Sequence, residues 1–422
     1  MIDFSQRVRQ LSVFVDGKDA GELVRASQYQ FTYSEAATRS MSLIMPVEDR
    51  EFRDGALFAV MDMNLPEGFL LAQLRERSPK APPTEMQLLA LMGANGIGWL
   101  AYRQPGELPR PLPPGQDRAR LLREGAGQDG KIFNELVQAY LATGSGLSGV
   151  QPKIVVPERG TVTIPNRIVK VGGPSYPGVT ANEFLCLQVA QRAGLQVPRH
   201  ELSDDGQLLV IDRFDLVQGG ARLGFEDIAA LLDLRVGGAL STRKYKGSYE
   251  DIASVLRDFC TDKDAEVAKF FDHVALTVML RNGDGHLKNY GVVYDAKEVR
   301  LAPVYDVITT TLYPYDRAGM AVVDRTMALK LRHGDRRERQ YPTRDELLAF
   351  GRDVCGVDAP ADRIARIADA MNETLDAARG DDRIAADLTE ALYDEWRKSI
   401  FAYRMAVSQR APIGRVRRSR LS

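Results

Sequence analysis

Arg281-Asn282-Gly283-Asp284-Gly285-His286-Leu287-Lys288-Asn289-Tyr290 is the stretch on which the reading of this chain turns. It is too polar for a core and too rich in glycine for a helix interior. The helical pattern of Ala265 to Leu280 precedes it, and the short apolar run Gly291 to Tyr294 follows it as a strand. A polar segment between two scaffold elements predicts a functional loop, because a rigid scaffold holds binding groups best at its ends. Asp284 and Asn289 stand five residues apart. Leu301 to Tyr305 reads as a further strand ending in Asp306, a hairpin's length downstream. Two carboxylates and a carboxamide make a hard oxygen donor set, suited to Mg²⁺ held together with substrate phosphates.

The spacing DxxxxN is that of the kinase catalytic loop, in which the Asp receives a hydroxyl proton and the Asn holds a metal ion. An isolated match is more often an Asx-turn loop capped by the two side chains. Here the match has company. Arg167-Ile168-Val169-Lys170 ends a strand and Asn182-Glu183 lies early in the following helix, the order of the strand lysine and helix glutamate of kinases. A plain salt bridge between Lys170 and Glu183 fits the same spacing. Gly144 to Lys153 (GSGLSGVQPK) follows neither phosphate-loop pattern strictly. Its small residues let backbone N–H groups approach an anion and Lys153 adds charge; a hinge or turn is the other reading. The Phe and Gly of the kinase DFG triplet are absent, since Asp306 is followed by Val307 and Ile308.

Working outward, Leu11 to Val15, the turn signal Asp16-Gly17 and Gly21 to Val24 predict an opening hairpin. Phe31 to Tyr33 and Met41 to Met45 read as strands, Leu65-Pro66-Glu67-Gly68 as a turn and Glu85 to Met92 as a helix. This first unit takes residues 1–104. Residues 105–130 have the Pro, Gly, Arg and Asp content of a connector. Residues 131–224 read as a β-rich lobe: a helix at Ile132 to Leu141, the glycine-rich loop, strands at Lys153 to Val156, Thr161 to Ile164, Arg167 to Val171 and Gln207 to Asp212, and a helix from Thr180 to Ala193. Residues 225–410 read as a helical lobe, with helices at Glu226 to Leu234, Tyr249 to Cys260, Ala265 to Leu280, Arg344 to Val354, Asp362 to Ala378 and Ala385 to Val407. Residues 411–422 form a basic tail. The fold class is therefore α+β, a small β-rich subdomain before a two-lobed, protein-kinase-like body.

Composition excludes several other classes. The 422 residues carry 56 Lys+Arg against 57 Asp+Glu, a net charge of −1, which rules out bulk attraction to nucleic acid. Cys186, Cys260 and Cys355 show no CxxC spacing and the four histidines lie far apart, so neither a disulfide framework nor a zinc site is expected. The amino terminus interleaves Arg and Asp with apolar residues, unlike a secretory signal, and no apolar run approaches the roughly 20 residues that span a bilayer. A cytoplasmic protein with no membrane contact is expected.

Ser148-Gly149-Val150-Gln151-Pro152-Lys153, Asn182-Glu183, Ile211-Asp212-Arg213-Phe214-Asp215, Glu226-Asp227, Asn282 to Asn289 and Pro303-Val304-Tyr305-Asp306 together resemble the HipA family of serine/threonine kinase toxins. Leu65 to Gly68 and Gly93-Ala94-Asn95-Gly96-Ile97-Gly98 are similar to that family's first subdomain; Asn95 departs from it, where Asp is commoner. The resemblance implies a phosphate-binding loop of Ser148, Gly149, Val150, Gln151 and Lys153, with Lys170 on the ATP phosphates and Glu183 as its partner. It implies a hinge at Glu226 and Asp227 against adenine, Asp284 as catalytic base, His286, Lys288, Asn289 and Tyr305 along the nucleotide, and Mg²⁺ on Asn289 and Asp306. His286 is expected to fix the loop by hydrogen bonding. The family inactivates itself by phosphorylating a loop serine; Gly146 stands where that serine often lies, which leaves Ser148 and then Ser145 as candidates.

The resemblance further implies a protein substrate, of which an aminoacyl-tRNA synthetase is the family's type, arrest of translation and growth, and a helix-turn-helix antitoxin through which alone DNA is met. Two other readings stay open. A small-molecule kinase uses the same DxxxxN and Asp, and a non-catalytic corepressor uses the antitoxin contact alone. Arg410, Arg415, Arg417, Arg418 and Arg420 in the tail either touch phosphates or form a solvated end.

Overall fold

The computed structural model describes residues 7–66, 82–108, 117–126, 153–156, 166–172, 176–217, 221–334 and 339–404, together with positions 71, 74–76 and 135. Strands β1 (Gln10–Val15) and β2 (Lys18–Arg25) form the opening hairpin, with β3 (Tyr29–Tyr33), β4 (Glu51–Asp54), helix α1 (Glu85–Met92) and β5 (Leu100–Arg103) completing the first unit. The sheet order is β4-β3-β2-β1-β5, with antiparallel neighbours throughout. Alternating burial along β1 places Leu11, Val13 and Val15 in the core, as period-two sequence dictates. Gly21 allows the bulge opposite Val13 and Phe14, since a Cβ there would lie 2.1 Å from the Thr32 carbonyl oxygen. Thr84 caps α1 in a reciprocal box with Gln87.

Two expectations change in this part of the chain. Met41 to Met45 is not a strand: it closes on itself through a single Ser42 to Met45 bridge, around the Tyr33 hydroxyl, which donates to Met45 O at 2.5 Å and accepts from Met41 N at 2.6 Å. Nor is 105–130 only a connector. Helix α2 (Arg118–Glu124), capped by Asp117, buries Leu121, and Arg118 reaches Glu201 and Asp212. The glycines and prolines around it mask a short amphipathic helix with its own cap.

The next sheet is built from β6 (Lys153–Val156), β7 (Arg167–Val171), β8 (His200–Leu202) and β9 (Leu208–Asp212), in the order β6-β7-β9-β8, with α3 (Val179–Arg192) inserted after β7. Every residue of β7 is buried. A third sheet, β10 (Gly224–Asp227), β11 (Gly291–Tyr294) and β12 (Val299–Leu301), bridges the lobes. Here Glu226 to Leu234, expected as one helix, divides: Glu226 and Asp227 pair with Val292 and Gly291, and the Asp227 carboxylate caps a one-turn helix, Ile228–Leu231. The expected strand Leu301 to Tyr305 ends at Leu301, because Pro303 has no N–H for the ladder.

The helical lobe comprises α4 (Tyr249–Phe259), α5 (Lys263–Met279), α6 (Arg344–Ala349), α7 (Pro360–Ala378) and α8 (Ala386–Arg404); α6 runs on into a π-turn, Phe350–Val354. Strands β13 (Tyr315–Arg317) and β14 (Met320–Val322) form a separate hairpin. Helix α5 is apolar on most faces and lies at the centre, burying Phe270, Phe271, Val274 and Val278 completely. Its carboxyl end delivers the loop that begins at Arg281. Thr161 to Ile164, the helix expected at 132–141 save position 135, and the basic tail fall outside the described residues.

Candidate active site

Lys170 lies on β7, where the strand is buried on both faces, and its ammonium pairs with both Glu183 of α3 and Asp306. The lysine and glutamate are 3% and 1% exposed, so the charges are taken out of water and depend on each other. Burial alone would depress the Lys170 ammonium; the Asp306 and Glu183 carboxylates outweigh it and hold it above its ordinary value. Asp306 adopts a left-handed backbone, φ 52°, a conformation that Asp tolerates better than most residues. Lys153 stands opposite Lys170 in the β6 and β7 register.

The loop after α5 is fixed from several sides. The Asn282 carboxamide oxygen accepts from Asp284 N at 3.1 Å, an Asx turn, and the Thr310 hydroxyl accepts from Gly283 N at 2.7 Å. Asn289 donates to Asp284 O at 2.7 Å and to Asp306 O at 3.4 Å, so loop and Asp306 segment are tied together. The Tyr305 hydroxyl donates to Lys288 O at 2.9 Å while its ring stacks on Phe214 at 5.5 Å. The segment beyond Asp306 is anchored at Thr309, whose backbone exchanges two hydrogen bonds with Asn182 and whose hydroxyl accepts from Trp396 Nε1 at 2.8 Å.

The structure thus brings Lys170, Glu183, Asp284, Asn289 and Asp306 into one cluster between the lobes. His286 is buried beside it, and desolvation, with Lys244 and Lys288 nearby, holds its imidazole neutral, well below the usual range. Within the loop its backbone N–H donates to Asp284 O at 2.7 Å and its carbonyl accepts from Asn289 N at 2.9 Å, while its ring stands edge-on to Tyr245. Lys288 donates to Met63 O of the first subdomain at 3.2 Å. Glu226 also faces that subdomain. Its carboxylate accepts from Ser42 Oγ at 2.6 Å, Leu43 N at 2.8 Å and the Tyr294 hydroxyl at 2.7 Å, and burial pushes it up to about 7 against these donors. The side chains of Glu226 and Lys288 therefore join subdomains. Ser145, Ser148, Gly149, Val150 and Gln151 lie outside the described residues, and Lys153 is described only in its backbone.

Some functional positions carried little signal. Arg213 and Asp215, quoted above only as part of a motif, form a fully buried pair that bonds Gly96 O and Gly98 N, at 2.8 Å each, and so locks the first subdomain to the β-rich lobe. Tyr245, whose hydroxyl donates to Asp284 Oδ1 at 2.7 Å, has as its only mark in the sequence an aromatic residue in a Lys- and Gly-bearing turn.

Asn289 and Asp306 carry a carboxamide and a carboxylate, the oxygen chemistry that Mg²⁺ takes, and the Asn289 amide donates to the Asp306 backbone carbonyl at 3.4 Å, so the two residues fit that ion. Among the described residues no cluster of three or more His, Cys, Asp or Glu is placed to hold a metal, the three cysteines are free and buried, and no helix is long and apolar enough to cross a membrane.

A β-rich lobe and a helical lobe meeting at a strand lysine, a helix glutamate and loop carboxylates define the fold as two-lobed and protein-kinase-like, preceded by a β-rich subdomain. Residues 145–379 match the model of the HipA-like C-terminal domain and residues 11–103 that of the HipA N-terminal domain. The chain belongs to the HipA family. Two relatives from Sinorhizobium fredii carry provisional kinase names: Y4mE is 26% identical over 94% of this chain and 96% of its own length, and Y4dM is 31% identical over 59% and 61%. HipA of Shewanella oneidensis, solved as a toxin-antitoxin complex with HipB and operator DNA, superposes with a TM-score of 0.68 at 16% identity, covering 93% of this chain and 96% of that one.

Proposed function

We propose that this protein is a toxin kinase that transfers the γ-phosphate of ATP to a serine or threonine of a protein target, and that a helix-turn-helix antitoxin neutralises it. The observation that carries the reading is Lys170 paired at once to Glu183 and Asp306, beside a loop that presents Asp284. Lys170 supplies positive charge to the phosphates, and Glu183 fixes its direction. Asp284 accepts the proton of the attacking hydroxyl as its oxygen bonds to the γ-phosphorus and the bond to the ADP oxygen breaks. Asn289 and Asp306 would hold Mg²⁺, which when bound neutralises charge on the phosphate oxygens. Because the Glu226 carboxylate is engaged by Ser42, Leu43 and Tyr294, an adenine contact from the hinge falls to the backbone of Glu226 and Asp227. Ser148, Gly149, Val150, Gln151 and Lys153 are the proposed phosphate-binding residues.

The kinase names of the relatives support phosphotransfer, and the Shewanella complex supports an antitoxin partner that carries the DNA contact. An aminoacyl-tRNA synthetase is the family's type of target, and arrest of translation would follow from it. Phosphoproteomics of cells expressing the wild-type chain or Asp284→Gln tests this. New phosphoserine or phosphothreonine on a protein, with growth arrest, is expected for the wild type alone. Equal toxicity of the variant would overturn the kinase reading and favour a corepressor acting through its antitoxin contact.

A further inference from the structure

Tyr245 closes the short 3-10 segment Gly238–Tyr245, and Lys246 and Gly247 then lead to Ser248, which caps α4 in a reciprocal box with Asp251. The turn between two such ends is well fixed. From it, two tyrosines four residues apart grip adjacent positions of the loop. The Tyr245 hydroxyl donates to Asp284 Oδ1 at 2.7 Å, and the Tyr249 hydroxyl donates to Gly285 O at 2.9 Å. The Tyr245 ring is itself held, edge-on to His286 with centroids 5.2 Å apart, and with Lys244 Nζ 5.4 Å from its centroid.

The Asp284 side chain is 44% exposed, far more than Lys170 or Glu183. Asn282 and Asn289 hold its backbone N–H and C=O, which by itself leaves the rotamer of the exposed side chain open. A hydrogen bond from a separate, anchored element does select it. His286 Nε2, 3.9 Å from the same oxygen, is beyond hydrogen-bond range.

We propose that Tyr245 is a positioning residue for phosphoryl transfer: its hydroxyl holds one carboxylate oxygen of Asp284 and so aims the carboxylate at the acceptor hydroxyl. The proposal rests on the reading of Asp284 as catalytic base. Tyr245→Phe keeps the ring against His286 and removes only the hydroxyl.

With the protein acceptor found by the expression experiment, Tyr245→Phe is expected to lower kcat about ten-fold or more while KM for ATP and the melting temperature stay at their wild-type values. In an Asp284→Asn background the same change is expected to have little further effect, because the group it orients is gone. Wild-type kcat in Tyr245→Phe, beside an inactive Asp284→Asn, would overturn this proposal alone. So would an equal fall in both backgrounds, or a joint loss of kcat, ATP affinity and stability, since these mark a merely structural tyrosine. Full transfer by Asp284→Asn would overturn the base reading and this proposal with it.

Discussion

At the scale of single residues, Glu226 shows how one carboxyl can be given a structural task inside a functional motif. It is fully buried, accepts three hydrogen bonds, and still has its pKa pushed up to about 7, because desolvation outweighs the donors. Its value in the folded chain lies above the ordinary 4.5, so the fold favours the protonated form. The stability this supplies is complete below about pH 4.5 and is lost as pH rises through 7, about 3 kcal/mol in all. Glu226→Gln keeps an acceptor for Leu43 N and Tyr294 and turns its amide toward Ser42. Urea denaturation between pH 5 and 8 is expected to show stability falling with pH in the wild type and a flatter profile in Glu226→Gln. Parallel profiles would show that Glu226 does not titrate across this range.

Elements explain which sequence readings survive. The helix Pro360–Ala378 was legible because burial on a helical period governs it, and the strand Arg167–Val171 and the helix Glu85–Met92, buried almost throughout, were legible from their apolar content. The failures are places where a long-range partner overrides local pattern. Glu226 to Leu234 has helical spacing, but β11 pairs with its first two residues. Met41 to Met45 is apolar like a short strand, but the Tyr33 hydroxyl gathers it into a turn. The packing of Gly93 to Gly98 is of the same kind. Gly98 has φ 86°, and a Cβ there would come within 3.1 Å of Phe225 N, while Asp215 accepts its N–H. Asp215→Ala would leave the Arg213 guanidinium buried without its carboxylate. A loss of about 3–5 kcal/mol is expected by chemical denaturation, with first-subdomain amides exchanging faster than those of α5. An unchanged midpoint would show that this pair does not couple the units.

For the whole molecule, the near-zero net charge acquires an internal use. Among the described residues three sets of opposite charges meet at seams: Arg213 and Asp215 beneath Gly96 and Gly98, Arg235 with Asp54, and Lys170 between Glu183 and Asp306. Asp62 adds a further tie, accepting from Val236 N at 2.7 Å and Gly237 N at 2.9 Å. The first subdomain thus rests on β10 and, through Met63 and Lys288, on the loop that follows α5. Asp284, Asn289, Asp306, Lys170 and Glu183 could be read from the sequence as one candidate set because the kinase pattern specifies residue type and order together. The roles of Tyr245, Arg213 and Asp215 could not, since holding a loop or a seam can be done by many residue types at many spacings.

The central claim is that Asp284 and its neighbours move phosphate from ATP to protein. Its most direct test is incubation of the purified chain with γ-labelled ATP, Mg²⁺ and an extract of dephosphorylated cellular proteins, beside Asp284→Asn as control. Label on serine or threonine of a discrete protein, dependent on Asp284, is the predicted result; label that reaches no protein, or that reaches it equally with Asp284→Asn, would contradict it.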